Sequence, residues 1–317
     1  MKIVDFKREH ITQAKTLVRQ NFDELRLINP NIPKIINLPE MVEFADNNMG
    51  IAIFNDENDI LLGFMSCYGP FENAFRNKNV NGIWSPIHAN AVINQVGIQK
   101  DYIYKRLYEH AAKKWVEKGA LIHSITLYEH EKEVINAFYT YGFGLRCVDA
   151  VRSLDNIKIM QNSIKKLKFS ELQNHEYTRI TNMKNLLIEH LRQSPCFLNY
   201  KTMSESECLE KIHQNKIRIF IAENDEKIIG MIQIKNGGEN FISDSSEMQN
   251  ICSAYLLEEY RNQGIFEQLL QFVIETVKTN GYKCLGVDFE SFNPSGSGFW
   301  LKHFKAYTSS VVRRIDG

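Results

Sequence analysis

The feature of this sequence that most limits its fold is an internal repeat about half as long as the chain. The stretch CVDAVRSLD, Cys147 to Asp155, corresponds to TSSVVRRID, Thr308 to Asp316. Val151 aligns with Val312, so the two stretches are 161 residues apart (312 − 151). A repeat of this length has the size of a domain and is too long for a solenoid unit. The sequence therefore predicts two related halves.

A second pair of segments repeats in the same order. Residues 52–64 and 220–231 each contain an apolar run, an acidic turn and a second apolar run with a central glycine, Gly63 or Gly230. Apolar runs joined by a short polar turn predict β-hairpins. Helical periodicity precedes each hairpin, and a glycine-terminated helix and further short apolar runs follow it. The pattern predicts an α/β fold with a mixed sheet in each half, with domains at 1–155 and 164–317 and a polar boundary near 155–163.

Composition excludes several function classes. The 317 residues include 38 Lys and Arg against 38 Asp and Glu, so bulk electrostatic binding to nucleic acid or to an anionic membrane is not expected. The N-terminus lacks the apolar core of a signal peptide, and the six cysteines form no C-x-x-C pair. Scattered cysteines are typical of reduced thiols in the cytoplasm, and the histidine spacing predicts no metal site.

One turn has the pattern of a phosphate-binding site. The run LLEEYRNQGIFEQLL, Leu256 to Leu270, lies between an apolar strand and an amphipathic helix. Backbone N–H groups and the positive end of the helix dipole both favour an anion at such a turn. Gly264 supplies backbone freedom and Arg261 supplies positive charge, although a single glycine before a helix is more often an ordinary turn.

The amino-acid sequence of this turn resembles the pyrophosphate-binding motif of the GNAT (Gcn5-related) N-acetyltransferases, commonly written R/Q-x-x-G-x-G/A. Arg261 and Gly264 match the motif, whereas Phe266 occupies its final small position. The order of predicted elements also resembles this family in both halves. The resemblance implies two tandem GNAT-like acyl-CoA N-acyltransferase domains, with acetyl-CoA as the acyl donor.

The same resemblance implies which residues hold the cofactor. In the family, pantetheine lies where the fourth and fifth strands splay apart, and the turn after the fourth strand binds the pyrophosphate. Asn293 matches a family asparagine that hydrogen-bonds pantetheine, and an ordinary helix N-cap before Pro294 is an equal alternative. The implied cofactor-binding residues are Leu256, Leu257, Arg261, Asn262, Gln263, Gly264, Ile265, Phe266 and Asn293.

The first half departs from the motif. Gln99 fits the first position, but Tyr102 and Tyr104 stand where small residues are needed. Bulky side chains at a tight turn disfavour the open backbone conformation, so the first half is not expected to bind CoA in the usual way. Tyr139 nevertheless matches the frequent general-acid tyrosine of the family and is a predicted catalytic residue. The aligned residue of the second half is Trp300.

Acyl transfer to an amine needs a proton acceptor, because a lysine-like amine with a pKa of about 10.4 is mostly protonated at neutral pH. Asp288 and Glu290 alternate along a predicted strand, so both carboxylates face the same side. We therefore predict that one of them acts as the base. A solvated strand face near a sheet edge is the alternative reading.

These observations predict an enzyme that transfers an acetyl group directly to an amine of a small molecule or peptide in the C-terminal domain. A CoA-binding or acyl-CoA-binding module without turnover is the alternative, because Phe266 and Trp300 depart from the family pattern. The duplication supplies the pairing that a symmetric dimer otherwise provides, so we expect a monomer. The sequence does not identify the acceptor, because variable loops determine it in such a fold.

Overall fold

The computed structural model describes residues 1–57, 59–155 and 167–316. Apolar residues at helical or alternating spacing form its helices and strands, as the sequence predicts. In the N-terminal half these elements are β1 (Lys2–Asp5), α1 (Ile11–Ile28), α2 (Val42–Asp46), β2 (Ile51–Phe54), β3 (Leu61–Met65), β4 (Tyr68–Phe71), β5 (Asn81–Ser85), β6 (Asn90–Val92), α3 (Lys100–Glu117), β7 (Ala120–Tyr128), α4 (Lys132–Thr140) and β8 (Gly144–Ser153).

The C-terminal half repeats the main order of these elements, with longer hairpin strands. Its elements are β9 (Leu167–Glu171), α5 (Thr181–Arg192), α6 (Glu205–Gln214), β10 (Arg218–Asn224), β11 (Lys227–Asn236), β12 (Met248–Leu256), α7 (Ile265–Thr279), β13 (Cys284–Glu290), α8 (Pro294–His303) and β14 (Lys305–Arg314). The two predicted hairpins are confirmed as β2–β3 and β10–β11. The repeated segments form β8 and β14, whose first and last residues all differ by the same 161 positions (305 − 144).

The two halves exchange their last strands. The strands form a four-stranded sheet, β1-β2-β3-β6, and a ten-stranded sheet, β4-β5-β7-β14-β8-β13-β12-β11-β10-β9. The last strand of the N-terminal half, β8, therefore lies between β13 and β14, and β14 lies between β7 and β8. The predicted boundary at 156–163 lies outside the described residues, and the domain limits 1–155 and 164–317 remain a prediction.

Strand β8 joins two hydrophobic cores. Val148 and Ala150 are buried in the core that includes α7, whereas Val151, on the opposite face, is buried in the core beneath α1. Alternation of side chains along a strand explains this division. Each core thus contains residues of both halves, which couples their folding.

The N-terminal half has an interrupted fourth strand. Strand β5 pairs with β7 and β6 pairs with β3, and the turn at 86–89 separates them, whereas β12 is one continuous strand. Pro86 lacks a backbone N–H group and disfavours an uninterrupted strand. The edge strand β4 precedes β5 in this half and pairs with it.

We expect the two halves to stay together after cleavage between them. A protease site inserted within 156–166 should give fragments that co-elute in native buffer, because separating them would strip β8 from β13 and β14 and expose unpaired strand edges. Size-exclusion chromatography with and without denaturant checks this result. Fragments that separate in native buffer would contradict the exchanged arrangement.

In the described part of the chain, no helix is both long enough and apolar enough to cross a membrane.

Candidate functional site

The strands β12 and β13 diverge and leave a cleft. They pair in parallel only over Met248–Ile251 and Cys284–Val287, although β12 continues beside β11 as far as Leu256. Beyond Ile251, the edge of β12 that faces β13 therefore presents backbone groups to the cleft. A cavity of about 400 Å³ opens there, lined by Leu187, His190, Ala254, Tyr255, Leu256, Arg261, Asn262, Gly264, Ile265, Phe266, Glu267, Asn293, Ser295, Gly296, Gly298, Phe299, Trp300 and Lys302.

Gly264 forms the N-cap of α7 at one end of this cavity. Its φ of +74° lies in the left-handed region that favours glycine, and no atom lies within 4 Å of the position that a Cβ would occupy. Helix geometry leaves the first backbone N–H groups of α7 without helical partners. These donors and the positive end of the helix dipole fit the pyrophosphate of a CoA molecule.

The cavity brings together seven of the nine predicted cofactor-binding residues. Arg261 donates from Nε to the carbonyl oxygen of Leu256 at 3.2 Å, which fixes the turn against the end of β12. Within the described ranges, the lining does not include Leu257 or Gln263. The backbone N–H of Leu257 donates to the Ile229 carbonyl, and the Gln263 amide donates to the Glu259 carbonyl.

Three aromatic rings form one wall of the cavity. The Phe266 ring lies 4.9 Å from the ring of Phe299 and 6.0 Å from that of Trp300, each with an edge-to-face geometry. Such contacts stabilise an aromatic cluster beyond its buried area. The large residue at the small position of the motif therefore packs against α8, beside the turn that carries Gly264.

Asn293 is both the N-cap of α8 and a lining residue. Its Oδ1 accepts hydrogen bonds from the Gly296 backbone N–H at 3.4 Å and from the Ser295 hydroxyl at 2.9 Å. The helix-cap reading is therefore correct for Oδ1. The Nδ2 donor remains suited to a ligand carbonyl in the cavity.

His190 and Ser295 join the two sides of the cavity. The Ser295 hydroxyl lies 3.4 Å from His190 Nε2, so a residue of α5 meets a residue of α8. Sequence reasoning missed both residues, because a histidine near the end of one helix and a serine more than 100 residues later share no motif.

Asp288 lies on the face of β13 opposite Leu285, Val287 and Phe289, which are all buried. Strand β13 is interior to the sheet, so Asp288 and Glu290 do not lie at a sheet edge, although Asp288 is exposed, as the alternative reading expects. Asp288 is exposed to solvent, yet many protein atoms surround its carboxyl group. This desolvation, with nearby Glu239 and Asp149, raises the pKa of Asp288 to about 7.

Glu290 projects from the same face as Asp288 and is mostly buried. Burial raises its pKa, and the guanidinium of Arg146, 3.6 Å away, opposes that shift. Its Oε2 is buried and has no hydrogen-bond partner among the described residues. An ion pair weakens a carboxylate as a base, so Asp288 is better suited than Glu290 to accept a proton at neutral pH.

Tyr139 lies elsewhere, on α4 of the N-terminal half. It is 40% exposed, and the lining of the cavity, as far as the chain is described, does not include it. The aligned Trp300 is 6% exposed and lines the cavity without a hydroxyl group. The structure therefore brings Asp288 and Glu290 onto one face of the sheet, but the lining of the cavity, as far as the chain is described, includes none of Asp288, Glu290 and Tyr139.

In the N-terminal half, strands β6 and β7 correspond to β12 and β13, and side chains bridge the space between them. The Asn90 amide of β6 donates to the Thr126 carbonyl of β7 at 3.2 Å and to the Pro86 carbonyl at 3.1 Å. The fully buried Tyr104 donates from its hydroxyl to Asn90 Oδ1. These bonds occupy the place where the C-terminal half has its cleft.

A strand splay that leads to a glycine-capped helix N-terminus is the arrangement that the resemblance to the GNAT N-acetyltransferases implies for a CoA site. Residues 185–304 match the model of the Acetyltransferase (GNAT) family. A search of curated proteins found no sequence similar enough to count as a match.

Solved structures show similarity over more of the chain. A GCN5-related N-acetyltransferase from Sphaerobacter thermophilus is 9% identical, with a TM-score of 0.54 over 84% of this chain and 81% of that chain. The GCN5-related glucosamine N-acetyltransferase region of a fungal multi-domain GH3 β-N-acetylglucosaminidase is 12% identical, with a TM-score of 0.53 over 98% of this chain and 38% of that chain. A tandem GNAT protein from the clavulanic acid biosynthesis pathway is 10% identical, with a TM-score of 0.47 over 100% of this chain and 99% of that chain.

Residues 185–304 thus match the GNAT family, and the chain shares the fold of the GCN5-related N-acetyltransferases over most of its length.

Proposed function

We propose that this protein is an acetyl-CoA-dependent N-acetyltransferase whose C-terminal half transfers an acetyl group directly to an amine of a small molecule or peptide. The observation that carries the proposal is the cavity between β12 and β13, which ends at the Gly264 turn. Bound acetyl-CoA would supply the activated acyl group. The glucosamine N-acetyltransferase region described above supports an amine as acceptor.

The residues of this chain have distinct tasks in the proposal. The free edge of β12 and Asn293 orient the pantetheine arm, and the amides at the start of α7 bind the pyrophosphate. Asp288 accepts the proton of the acceptor ammonium, since its pKa of about 7 makes it ionised and yet basic near neutral pH. Amines would approach Asp288 on the sheet face opposite α7.

The leaving thiolate also needs a proton. The hydroxyl of the family tyrosine is absent at Trp300, and Tyr139 does not reach the cavity. His190 and Ser295 line the cavity within hydrogen-bonding distance of one another. We therefore assign them as the donors from which the proton reaches the sulfur, with Ser295 Oγ–H donating and His190 restoring its proton.

A binding module without turnover remains the competing function, because Phe266 and Trp300 depart from the family pattern. Release of CoA thiol from acetyl-CoA, measured with a panel of amines at saturating cofactor, separates the two. Amine-dependent release supports the transferase. Saturable cofactor binding with no release for any amine class would favour the binding module.

We expect one CoA site per chain. Asn90 and Tyr104 bridge the gap of the N-terminal half, and Tyr102 stands where the motif needs a small residue. Calorimetry should therefore give a stoichiometry of one. Tyr102→Ala should leave the affinity within about threefold, below about 0.7 kcal/mol, because Tyr102 is 45% exposed and lies outside the cofactor cavity. Two sites in the parent would contradict the assignment.

We further propose that the chain works in the cytoplasm as a monomer, since the second half supplies the surface that a partner subunit otherwise provides.

A further inference from the structure

The exchanged strand brings a carboxylate of the N-terminal half to Asp288. Strands β8 and β13 are antiparallel, and Asp149 is the residue directly opposite Asp288. Directly opposed residues on one face have Cβ atoms about 4.5–5.5 Å apart. The two carboxylates are therefore close neighbours, although 139 residues (288 − 149) separate them in sequence.

The two carboxylates have different surroundings. Asp149 Oδ2 accepts hydrogen bonds from the Asn240 amide at 3.1 Å and from the Thr308 hydroxyl. Asn240 is held in turn by the buried Tyr307, whose hydroxyl lies 3.2 Å from its Nδ2. Asp288 receives no comparable side-chain donor from any described residue. Of the two carboxylates, Asp149 is therefore the one whose ionised form has side-chain donors to stabilise it.

We infer that Asp149, supplied by the N-terminal half, is a positioning residue that sets the basicity of Asp288. This inference rests on the proposed function, in which Asp288 takes a proton from the acceptor amine. The negative charge of ionised Asp149 makes proton loss from Asp288 harder and proton uptake easier. A base with a pKa close to the working pH transfers protons most effectively.

The pKa values of Asp149 and Asp288 agree with this role. Burial raises the pKa of Asp149 to about 6, and the donors Thr308 and Asn240 oppose the shift. Burial and the charges of Glu239 and Asp149 raise the pKa of Asp288 to about 7, whereas Lys235 opposes that shift. The titratable and charged groups that interact with Asp288 are Asp149 and Cys147 on β8, Lys235 on β11, Glu239 in the following loop, Cys252 on β12, Tyr307 on β14 and Tyr200 in the loop after α5.

Asp149→Asn tests the inference, because asparagine keeps the shape and an oxygen that accepts from Asn240 and Thr308 but removes the charge. Carbon-13 NMR titration of the aspartate carboxyls, with Asp288→Asn to assign the signal, reads the pKa of Asp288 without any turnover. We expect the variant to lower that pKa by about one unit. The acid limb of kcat/KM should move to lower pH by the same amount.

Two variants serve as controls. Asp149→Glu retains the charge and should keep the pKa of Asp288 within a few tenths of the parent value. Asp225→Asn makes the same chemical change in the exposed β10–β11 turn and should leave both the titration and the pH profile unchanged.

An unchanged Asp288 titration in Asp149→Asn, or an equal shift in Asp149→Glu and Asp149→Asn, would overturn the inference while leaving the proposed function intact. Absence of amine-dependent CoA release in the parent would instead overturn the proposed function, and the NMR titration would still decide whether Asp149 acts on Asp288.

Discussion

Gly264→Asp is expected to abolish CoA binding. The residue lies at a φ of +74°, and open space surrounds the position that a side chain would occupy. Aspartate there would strain the backbone and place bulk and negative charge where the pyrophosphate is proposed to bind. We expect the affinity to fall at least about 100-fold, or about 2.8 kcal/mol, in calorimetry. The unfolding temperature should stay close to that of the parent, because the position is not packed.

Two matched variants separate charge from backbone effects. Gly264→Asn is neutral and tolerates a left-handed backbone, so it should weaken CoA binding less than Gly264→Asp does. Gly281→Asp makes the same change after the other end of α7, at a φ of +89° and in open space, and should leave the affinity unchanged. Equal losses at positions 264 and 281 would show that the effect is general destabilisation.

Asp288→Asn is expected to lower turnover by about 10²- to 10⁴-fold while CoA affinity changes little, because the variant removes the proton acceptor but leaves the cofactor cleft intact. In the parent, kcat/KM should fall as pH drops below about 7, where the raised pKa of Asp288 leaves its carboxyl protonated. In the variant, the loss should shrink as pH rises towards the pKa of the amine. Steady-state kinetics across pH checks both results.

Glu290→Gln provides the comparison within the same strand. Because Arg146 pairs with Glu290, we expect a smaller loss than in Asp288→Asn, and Asp225→Asn should have no effect. A larger loss in Glu290→Gln would transfer the role of base to Glu290. Unchanged kinetics in both variants would remove this strand from the mechanism.

The local pattern of the sequence predicted most of the elements, since hairpins, glycine-capped helices and the Gly264 turn depend on neighbouring residues. The strand exchange could not be predicted, because β8 and β14 carry nearly the same apolar alternation and either fits beside either partner. Which of these two similar strands pairs with β13 depends on interactions throughout the sheet.

The same limit applies to the candidate site. Gly264 and Arg261 belong to one contiguous motif, whereas Asp149, His190 and Ser295 reach the site only through long-range contacts. For Tyr139 the local motif is present but the partners are missing. Its helix belongs to the N-terminal half, where Asn90 bridges β6 and β7. A local motif predicts a residue type at a position, and tertiary structure decides whether it meets its partners.

Hydrogen exchange measured with and without CoA tests the central claim most directly. We predict slower exchange in the part of β12 beyond Ile251 and in the turn at 261–267, since both would contact the cofactor. The corresponding N-terminal segments, 81–92 and 99–104, should exchange at the same rate in both samples. Protection of those N-terminal segments, with none at 252–256 and 261–267, would contradict the assignment of the cofactor to the C-terminal half.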